Sequence, residues 1–468
     1  MQLINGGARK KQVYFLTATP INNDILDLYR MISLFTNDND NHFASVGIHN
    51  LRGHFKRMRQ DLNRIMFGDE EFDGDVQSGF TREDADERLK TDDIVRTLIV
   101  QRSRNFVRAS MEGADGDIIF PKEPIVPKVG QYNLEDVYGD LLKEFEKAFS
   151  KTDPLFKLSI YYPFDHYLGS EEEDEDFGMT KGRLAAIARL IRTGFLKRFE
   201  SSFLAFKVSC HNLLLKNVKW LDLYGRIPGY EDALADWMIS NEDHVKLARD
   251  LNPEIEEETD DEDYLHDLPD HHLTDWADEG DFNIEGIVKD TYEDMDQIVL
   301  FLSLMDGITP ETDDKVRKLV EILESDEMAV DGKVIIFSEF MTTARYLKEE
   351  LTKRLPDRII VEIDSQTKEN RTRLIQRFSP YYNKSSSPEL EGDGKEEIEI
   401  LISTDVLAEG LNLQDSVRLI NYDIHWNPVR LMQRIGRIDR RMDPEIEARI
   451  VAEHPEREAD RGNITYWN

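Results

Sequence analysis

The chain has 468 residues, 40% of them hydrophobic, and this length exceeds one ordinary hydrophobic core, so two or three domains are expected. Its 94 acidic and 59 basic residues give a formal net charge of -35, and a field of that sign repels phosphates, so any nucleic-acid groove must be a local basic patch. The acidity fits either a high-salt habitat or acidic loops with local roles.

A single cysteine, Cys210, excludes an internal disulfide framework and a cysteine-based zinc site. The N-terminus is not a signal peptide and no apolar run is long enough to span a bilayer, so we expect a cytoplasmic protein without a membrane partner.

The first part of the chain combines one short apolar run with a long helical region. The run QVYFLTATP, residues 12–20, predicts a buried strand that enters a loop. From Asp24 to about Asp326 the pattern is mostly helical, and the clearest helix is predicted from about Lys181 to Leu215. Its apolar stripe, predicted to face a core, consists of Leu184, Ile187, Ile191, Phe195, Phe199, Phe203 and Phe206. The basic residues on its flanks, which we expect to be solvated, are Arg183, Arg189, Arg192, Lys197 and Arg198.

Acidic and low-complexity segments interrupt this pattern. Residues 171–176 and the run from 254 to 281 are rich in Asp and Glu, which is typical of flexible loops. Three histidines, His266, His271 and His272, lie in the second run, where exposed loop positions are a better interpretation than a metal site, so no metal ligand is assigned. Residues 383–395 have a low-complexity sequence that predicts a surface loop with no chemical role.

From Lys333 onward the sequence alternates apolar strands and helices. Strands are predicted in KVIIFSEF, RIIVEID, EIEILISTD and VRLINYD, and helices in TTARYLKEELTKRL, ENRTRLIQRF and PVRLMQRIGRIDR. Continuous apolar strands alternating with helices indicate an α/β fold with a parallel sheet covered on both faces. Right-handed crossovers then place the carboxyl ends of the strands along one edge, where such sheets bind ligands. The polar residues at those ends are Ser338, Glu339, Asp364, Ser403, Thr404, Asp405 and Asp423.

The run QRIGRIDRR, residues 433–441, places Arg437 and Arg440 three residues apart. On a helix both guanidinium groups would leave the same face, where they could hold a phosphate. Surface arginines at this spacing are also often solvated or paired with acids such as Asp439 and Asp443. The spacing alone leaves both interpretations open.

Several segments together resemble a known family. LTATP at 16–20 resembles motif III of superfamily-two helicase-like ATPases, VIIFSEF resembles motif IV, LISTDVLAEGLNLQ at 401–414 resembles motif V, and QRIGRIDR resembles motif VI. Their order and spacing are similar to those of SWI/SNF-type DNA translocases. IVQRSRNFV, FPKEP and GFLKRFESSFLAF are similar to the bacterial branch that contains the RNA-polymerase-recycling ATPase. The resemblance divides the chain into a first RecA-like lobe remnant with motif III at 1–35, a helical protrusion and linker region at 36–330, a second RecA-like lobe at 331–441, and the start of a C-terminal extension at 442–468.

The resemblance also implies roles for particular residues. In such enzymes two RecA-like lobes close on ATP with Mg²⁺ while nucleic acid, here favoured to be duplex DNA, crosses both. The implied arginine fingers are Arg437 and Arg440, because a rigid bidentate cation matches the charge on a transferring phosphoryl group. The implied ATP-binding or positioning residues are Gln433, Arg434, Gly436, Asp405, Glu409 and Gly410. The implied coupling and nucleic-acid-contact residues are Thr17, Thr19, Ser338, Ser403, Thr404 and Asn412.

Two parts of such an ATPase are not found in this sequence. No GxxxxGK[ST] phosphate loop and no DExx strand end occurs in the 468 residues. We therefore expect a first lobe encoded upstream, able to act in trans, to supply most of the ATP and Mg²⁺ ligands, and we expect no substantial ATPase activity from the chain alone. The leading function is the C-terminal half of a SWI/SNF-like translocase. The alternatives are a non-catalytic module that binds a protein partner and, less well supported, an unrelated α/β nucleotide-sugar enzyme.

Overall fold

The computed structural model describes residue 15 and residues 25–67, 92–98, 120–122, 127–150, 154–169, 175–255, 281–325, 332–405, 412–425 and 428–468. The chain divides into two compact units, residues 1–117 and residues 118–468. Several predictions lie outside the described residues. They concern Thr17 and Thr19 of motif III, all of the IVQRSRNFV segment and the last two residues of FPKEP, most of the acidic stretches with their three histidines, and Glu409 and Gly410 of motif V.

The described part of the first unit is helical. Its helices are α1 (Ile25–Thr36), α2 (Leu51–Phe67) and α3 (Asp93–Leu98). Their apolar faces meet in one small core, which includes Leu28, Phe55 and Ile94. Asp92 accepts hydrogen bonds from the backbone amides of Ile94 and Val95 at the start of α3, which satisfies amide groups that a helix N-terminus leaves without partners.

The second unit combines helices with a sheet. The helices before the main strands are α4 (Leu134–Ala148), α5 (Glu175–Ser201), α6 (Phe203–Tyr224), α7 (Ala233–Ser240), α8 (Glu242–Ile255), α9 (Ile284–Met305) and α10 (Asp314–Ser325). Those that follow are α11 (Met341–Arg354), α12 (Arg371–Phe378), α13 (Ser387–Gly392), α14 (Pro428–Ile435) and α15 (Pro444–Glu453).

The single helix predicted from Lys181 to Leu215 is two helices, α5 and α6. Ser202 separates them, because its backbone is extended (φ -157°, ψ 154°) and its hydroxyl accepts a hydrogen bond from the amide of Ala205. A serine at this position satisfies the first turn of the second helix and so favours a new start over continuation. The predicted apolar stripe does face the core, and all of its residues are buried or half-buried.

The described strands form one six-stranded sheet in which all neighbouring strands are parallel. They are β1 (Pro127–Lys128), β2 (Val334–Phe337), β3 (Ile360–Ile363), β4 (Ile400–Ser403), β5 (Arg418–Asn421) and β6 (Thr465–Trp467), in the order β1-β6-β5-β2-β4-β3. The parallel α/β fold expected from the sequence is therefore confirmed.

Both faces of the sheet are buried, as expected for parallel strands. Ile336, Ile402 and Ile420 lie on the face that packs against the preceding helical region. Alternate residues such as Ile335 and Leu401 face the opposite way and pack in a separate core with α12. This alternation follows from the two-residue period of a strand.

Two structural features differ from the sequence-based expectations. Residues 383–395 contain the helix α13, whose first turn is capped by the buried Ser386 and whose Leu390 is buried, so this segment is not simply a surface loop. Strands β1 and β6 come from outside residues 331–441, the range predicted for the second RecA-like lobe. The domain boundaries drawn from the sequence remain predictions.

Candidate functional site

The carboxyl ends of β4, β2 and β5 lie side by side, because these three parallel strands are neighbours in the sheet. Asp405 follows β4, Ser338 follows β2 and Asp423 follows β5. Helix α14, which carries the first part of motif VI, starts five residues after Asp423. The fold thus brings motifs IV, V and VI to the same edge of the sheet.

A buried ion pair joins motif V to motif VI. Arg434 Nε and Nη2 donate hydrogen bonds to the two carboxylate oxygens of Asp405, at 2.6 and 3.0 Å. Its Nη1 donates to the backbone oxygen of Asp423 at 2.8 Å, and the guanidinium lies 5.3 Å from the centre of the Phe337 ring. Arg434 has no exposed surface. This two-pronged geometry, which a lysine could not reproduce, fixes α14 to the ends of β4 and β5.

Two further hydrogen bonds join these motifs. Arg440 Nη1 donates to Asn412 Oδ1, and Gln414 Nε2 donates to the backbone oxygen of Arg441 at 2.8 Å. Asp405 and Asn412 of motif V are therefore both bonded to motif VI. Glu409 and Gly410 come between them in the sequence and lie outside the described residues, so their predicted roles remain predictions.

Asn383 supports this junction from a different part of the chain. Its Nδ2 donates to the backbone oxygens of Asn412 and Ser379, at 2.9 and 2.6 Å. The sequence pattern predicts a surface loop with no chemical role at Asn383. Its only sequence feature is an asparagine in a turn-forming segment, so this contact could be found only from the three-dimensional structure.

Arg437 and Arg440 do not project from one helical face as expected. Helix α14 ends at Ile435, and tight turns follow, in which the amide of Arg437 donates to the carbonyl of Arg434. In a continuing helix the carbonyl of Gly436 would accept from the amide of Arg440, but the Nε of Arg440 donates to it instead, at 3.1 Å. A Cβ built at Gly436 would also lie 3.1 Å from the carbonyl oxygen of Met432, so glycine fits this close turn better than a larger residue.

The arginines of motif VI differ in their surroundings. Arg437 is largely buried, whereas Arg440 and Gln433 are half-buried. Burial lowers the pKa of Arg440 below its ordinary value, but an arginine remains charged at neutral pH. The structure therefore places a cationic group of motif VI at the edge of the sheet, next to motif V.

Three of the hydroxyl groups predicted to contact nucleic acid are described, and they lie inside the protein. Ser338, Ser403 and Thr404 have no exposed surface. Ser338 donates to Asp423 Oδ2 at 2.6 Å, and Ser403 donates to the backbone oxygens of Thr404 and Ile363 at 2.7 and 3.1 Å. In this arrangement they support the edge of the sheet, and their direct contact with a nucleic acid remains a prediction.

Asp423 is the centre of a buried polar network that sequence analysis did not identify. Its Oδ2 accepts hydrogen bonds from the Ser201 hydroxyl and the Glu339 amide, at 2.8 and 2.9 Å, as well as from Ser338. Lys315 Nζ donates to Oδ1 at 3.0 Å and to the backbone oxygens of Glu200 and Ser201, at 2.9 and 3.1 Å. Burial raises the pKa of Asp423, but the Lys315 charge and these hydrogen bonds outweigh burial and leave the pKa below its ordinary value.

This network connects α5 and α10 to motif VI. Lys315 belongs to α10, and its ammonium group contacts the C-terminal end of α5, where a cation is favourable for the helix dipole. The same ammonium group binds the carboxylate of Asp423, and the backbone oxygen of Asp423 accepts a hydrogen bond from Arg434. Lys315 and Asp423 are 108 residues apart in the sequence. No local pattern could have indicated their contact.

The basic flank of α5 is less solvated than expected. Lys197 Nζ donates to Glu339 Oε1 at 2.6 Å, and the buried Arg198 lies 4.6 Å from the centre of the Phe340 ring. Arg192 donates to the backbone oxygen of Phe156 at 3.3 Å. These side chains pack at the end of β2 and against a neighbouring loop, so the expectation of a solvated flank is wrong for these three residues.

Within the described ranges, no group of three or more His, Cys, Asp or Glu side chains could hold a metal ion. No helix in the described part of the chain is both long and apolar enough to cross a membrane.

Comparisons with known proteins agree with the position of these motifs. Residues 314–442 match the family model of the helicase conserved C-terminal domain. The chain is also similar to the uncharacterized ATP-dependent helicase YqhH of Bacillus subtilis (strain 168), with 30% identity over 147 residues. This match covers 31% of this chain and 22% of the relative, so it spans about a fifth of the relative's length.

Two solved structures show weaker likeness. The C-terminal part of the Fun30 ATPase domain has a TM-score of 0.29 and 16% identity, covering 75% of this chain and 86% of that one. The helicase domain of Pyrococcus furiosus Hef has a TM-score of 0.35 and 15% identity, covering 83% and 62%. The family match, which extends from the start of α10 to the turns after α14, is the informative result. Residues 314–442 are therefore similar to the helicase conserved C-terminal domain.

Proposed function

We propose that this chain is the C-terminal half of an ATP-dependent, SWI/SNF-like nucleic-acid translocase, related to the bacterial RNA-polymerase-recycling branch. The observation that carries the proposal is the block formed by motifs V and VI. Asp405 and Asn412 of motif V hold Arg434 and Arg440 of motif VI at the carboxyl edge of the sheet. An edge of this kind is where parallel α/β sheets bind ligands.

The arginines have separate roles in this proposal. Arg434 is a positioning residue, since its three described hydrogen bonds hold the start of the turn that carries Arg437 and Arg440. Arg437 and Arg440 act as arginine fingers on the triphosphate. Arg440 donates to Asn412 through Nη1, and a guanidinium has further N–H donors, so the same side chain can contact both motif V and a phosphate. An arginine finger can contribute roughly 10³ to 10⁵ in rate.

The residues present fit one side of an ATP site. The described edge supplies cationic arginine groups that match phosphate oxygens. The lysine that holds the phosphates and the carboxylate that organises Mg²⁺ would come from a first RecA-like lobe outside these 468 residues. ATP with Mg²⁺, when bound between the lobes, would supply the phosphoryl transfer that drives movement along duplex DNA.

The test measures ATP hydrolysis with Mg²⁺ and duplex DNA for the chain alone and after mixing with a first lobe encoded upstream. We expect little turnover from the chain alone and DNA-stimulated turnover from the mixture. Arg437→Ala and Arg440→Ala should each reduce that turnover by roughly a thousandfold or more. Arg449→Ala removes the same charge from an exposed position on α15 and should have little effect.

Two results would contradict the proposal. Robust Mg²⁺-dependent turnover by the chain alone, lost in Arg437→Ala, would show that the first lobe is not needed. Salt-tolerant capture of a protein partner by a chain without DNA affinity would instead support the non-catalytic interaction module.

A further inference from the structure

A segment between α4 and α5, residues 154–169, is packed against α9, and we call it the strap. Its apolar side chains Phe156, Leu158 and Ile160 are buried in the same core as the apolar residues of α9. The backbone of Leu158 has a φ of 58°, in the left-handed region that is unfavourable for residues other than glycine. Packing and hydrogen bonds around the strap must therefore hold this conformation.

Two carboxylates on one side of α9 bind the strap. Asp294 accepts hydrogen bonds from the consecutive backbone amides of residues 157–158, at 2.6 Å to Oδ1 and 2.7 Å to Oδ2. Asp290 lies four residues earlier, a spacing that places both side chains on the same side of the helix. Its Oδ2 accepts from the Ser159 hydroxyl at 2.7 Å and lies 2.7 Å from Nε2 of His166. These contacts fix the part of the strap that has the unfavourable backbone conformation.

Asp294 occupies an unfavourable place for a negative charge. It is 2% exposed, and a buried carboxyl group resists ionisation because its charge would lose hydration. Burial raises the pKa of Asp294 from 3.8 to about 7; the two amide hydrogen bonds lower it, Asp290 raises it and Arg192 lowers it, each by less than burial does. Among the described residues, the charged groups that act on Asp294 are thus Asp290 on its own helix and Arg192 on α5. The strap faces it with neutral amides and places His166 on Asp290.

We propose that Asp294 is a proton-operated latch, which holds the strap on α9 while its carboxyl group is protonated and loosens the strap when that proton is lost. A neutral carboxyl group keeps lone pairs that can accept from both amides, whereas the carboxylate regains its hydration only if the strap moves away. Arg192 also donates to the backbone oxygen of Phe156, at 3.3 Å, so the strap joins α9 to α5. The latch does not depend on the function proposed above.

The direction of the pH effect follows from the pKa of Asp294. In the open strap the carboxyl group is hydrated and has its ordinary pKa, whereas in the docked strap burial raises the pKa to about 7. Docking is therefore strongest below the ordinary pKa and weakens as the pH rises, until the docked group is ionised as well. Between pH 5 and pH 7 the equilibrium constant for opening should increase about fiftyfold, and from pH 7 to pH 8 it should change by less than about twofold.

Hydrogen exchange of the full chain tests the latch, with mass spectrometry on peptides that contain residues 157–162. In this range the amides of residues 157–158 donate to Asp294, and those of Tyr161 and Tyr162 donate to the backbone oxygen of Leu158. After correction for the intrinsic exchange rate at each pH, we expect protection to fall about fiftyfold from pH 5 to pH 7. In Asp294→Asn the side chain cannot ionise, so protection should be lower at pH 5 but nearly independent of pH.

Asp92→Asn is the matched control. Asp92 is also a buried carboxylate that accepts from two backbone amides, but it lies in the first unit and pairs with His54. Protection of residues 157–162 in this variant should have the pH dependence of the unmodified chain. Asp290→Asn is a second test variant, which keeps the Asp294 carboxyl group. Loss of the negative charge at residue 290 lowers the pKa of Asp294, so the fall in protection from pH 5 to pH 7 should become smaller.

Several results would overturn the latch. Equal pH dependence in the unmodified chain and in Asp294→Asn would show that another group is responsible. Constant protection of the unmodified chain between pH 5 and pH 7 would show that the strap does not respond to a proton. If circular dichroism shows that Asp294→Asn does not fold, Asp290→Asn decides, since an unchanged fall in protection refutes the latch and a smaller fall supports it.

Discussion

Replacement of Lys315 by methionine tests the buried network around Asp423. Methionine keeps the length of the side chain but removes the ammonium group that binds Asp423 and the last carbonyls of α5. Asp423 is then left as a buried carboxylate without its cation. Loss of one partner of a buried ion pair costs about 3–5 kcal/mol, so we expect the free energy of unfolding of the second unit to fall by about that amount.

The pH dependence of this variant has a defined sign. In the unmodified chain the pKa of Asp423 is below its ordinary value, so its contribution to stability is present above the unfolded-state pKa and is lost as the pH falls through the folded-state pKa. Without Lys315 the burial of Asp423 raises that pKa. The difference in the free energy of unfolding between the variant and the unmodified chain should therefore disappear at acidic pH, where Asp423 is protonated in both proteins.

Urea unfolding followed by tryptophan fluorescence is a suitable assay. All five tryptophans lie after residue 117, so the signal reports on the second unit alone. Lys318→Met is the matched control, because Lys318 lies on the same helix but pairs with Glu321 at the surface. We expect it to change stability by less than about 1 kcal/mol. Equal stability of the Lys315 and Lys318 variants at neutral pH would refute the role assigned to the network.

Three other predictions concern His211, Asp405 and Asn383. Burial lowers the pKa of His211 from 6.5 to about 4, so the unfolded state binds a proton at a higher pH than the folded state does. Between pH 6.5 and 4 the free energy of unfolding should therefore fall by up to about 3 kcal/mol relative to that of the His211→Leu variant. Identical pH profiles of the two proteins in urea unfolding would contradict this. Asp405→Asn should lower the thermal unfolding temperature, because Arg434 stays buried with its charge uncompensated. An unchanged temperature would show that the hydrogen bond from Arg434 to the backbone oxygen of residue 423 is enough to stabilise the buried guanidinium group. Asn383→Ala should speed the hydrogen exchange of the backbone amides in residues 412–416 by about five- to tenfold, the equivalent of one lost hydrogen bond. Amide protection equal to that of the unmodified chain would show that Asn383 does not support this segment.

The central strands could be predicted from sequence because each is a short, continuous run of apolar residues. Val334, Ile335, Ile336 and Phe337 are all fully buried in β2, and such a run fits a strand covered on both faces. Strands β1 and β6 have two and three residues and no such pattern. Their pairing depends on contacts with distant parts of the chain, which local sequence does not specify.

The candidate site shows a similar division. The motifs located Asp405, Asn412, Arg434 and Arg440, because their order in the chain is similar to that in a known family. The pairing among them depends on side-chain geometry and could not be predicted. Helix α14 ends earlier than expected, at Ile435, and the amide of Arg437 already donates to the carbonyl of Arg434, three residues back, in the turn that follows; helical periodicity does not reveal this change.

The position of Lys315 at the end of α5 has a mechanical consequence. A helix of 27 residues is about 40 Å long, and Lys315 fixes its C-terminal end to the residue that holds Arg434. A tilt of about 5° at that end would move the far end of a rod of this length by about 3.5 Å. Helix α5 thus has the dimensions of a lever arm whose fixed end lies beside the arginines of motif VI, and a rigid-body tilt at the edge of the sheet would become a larger displacement at the far end of the helix.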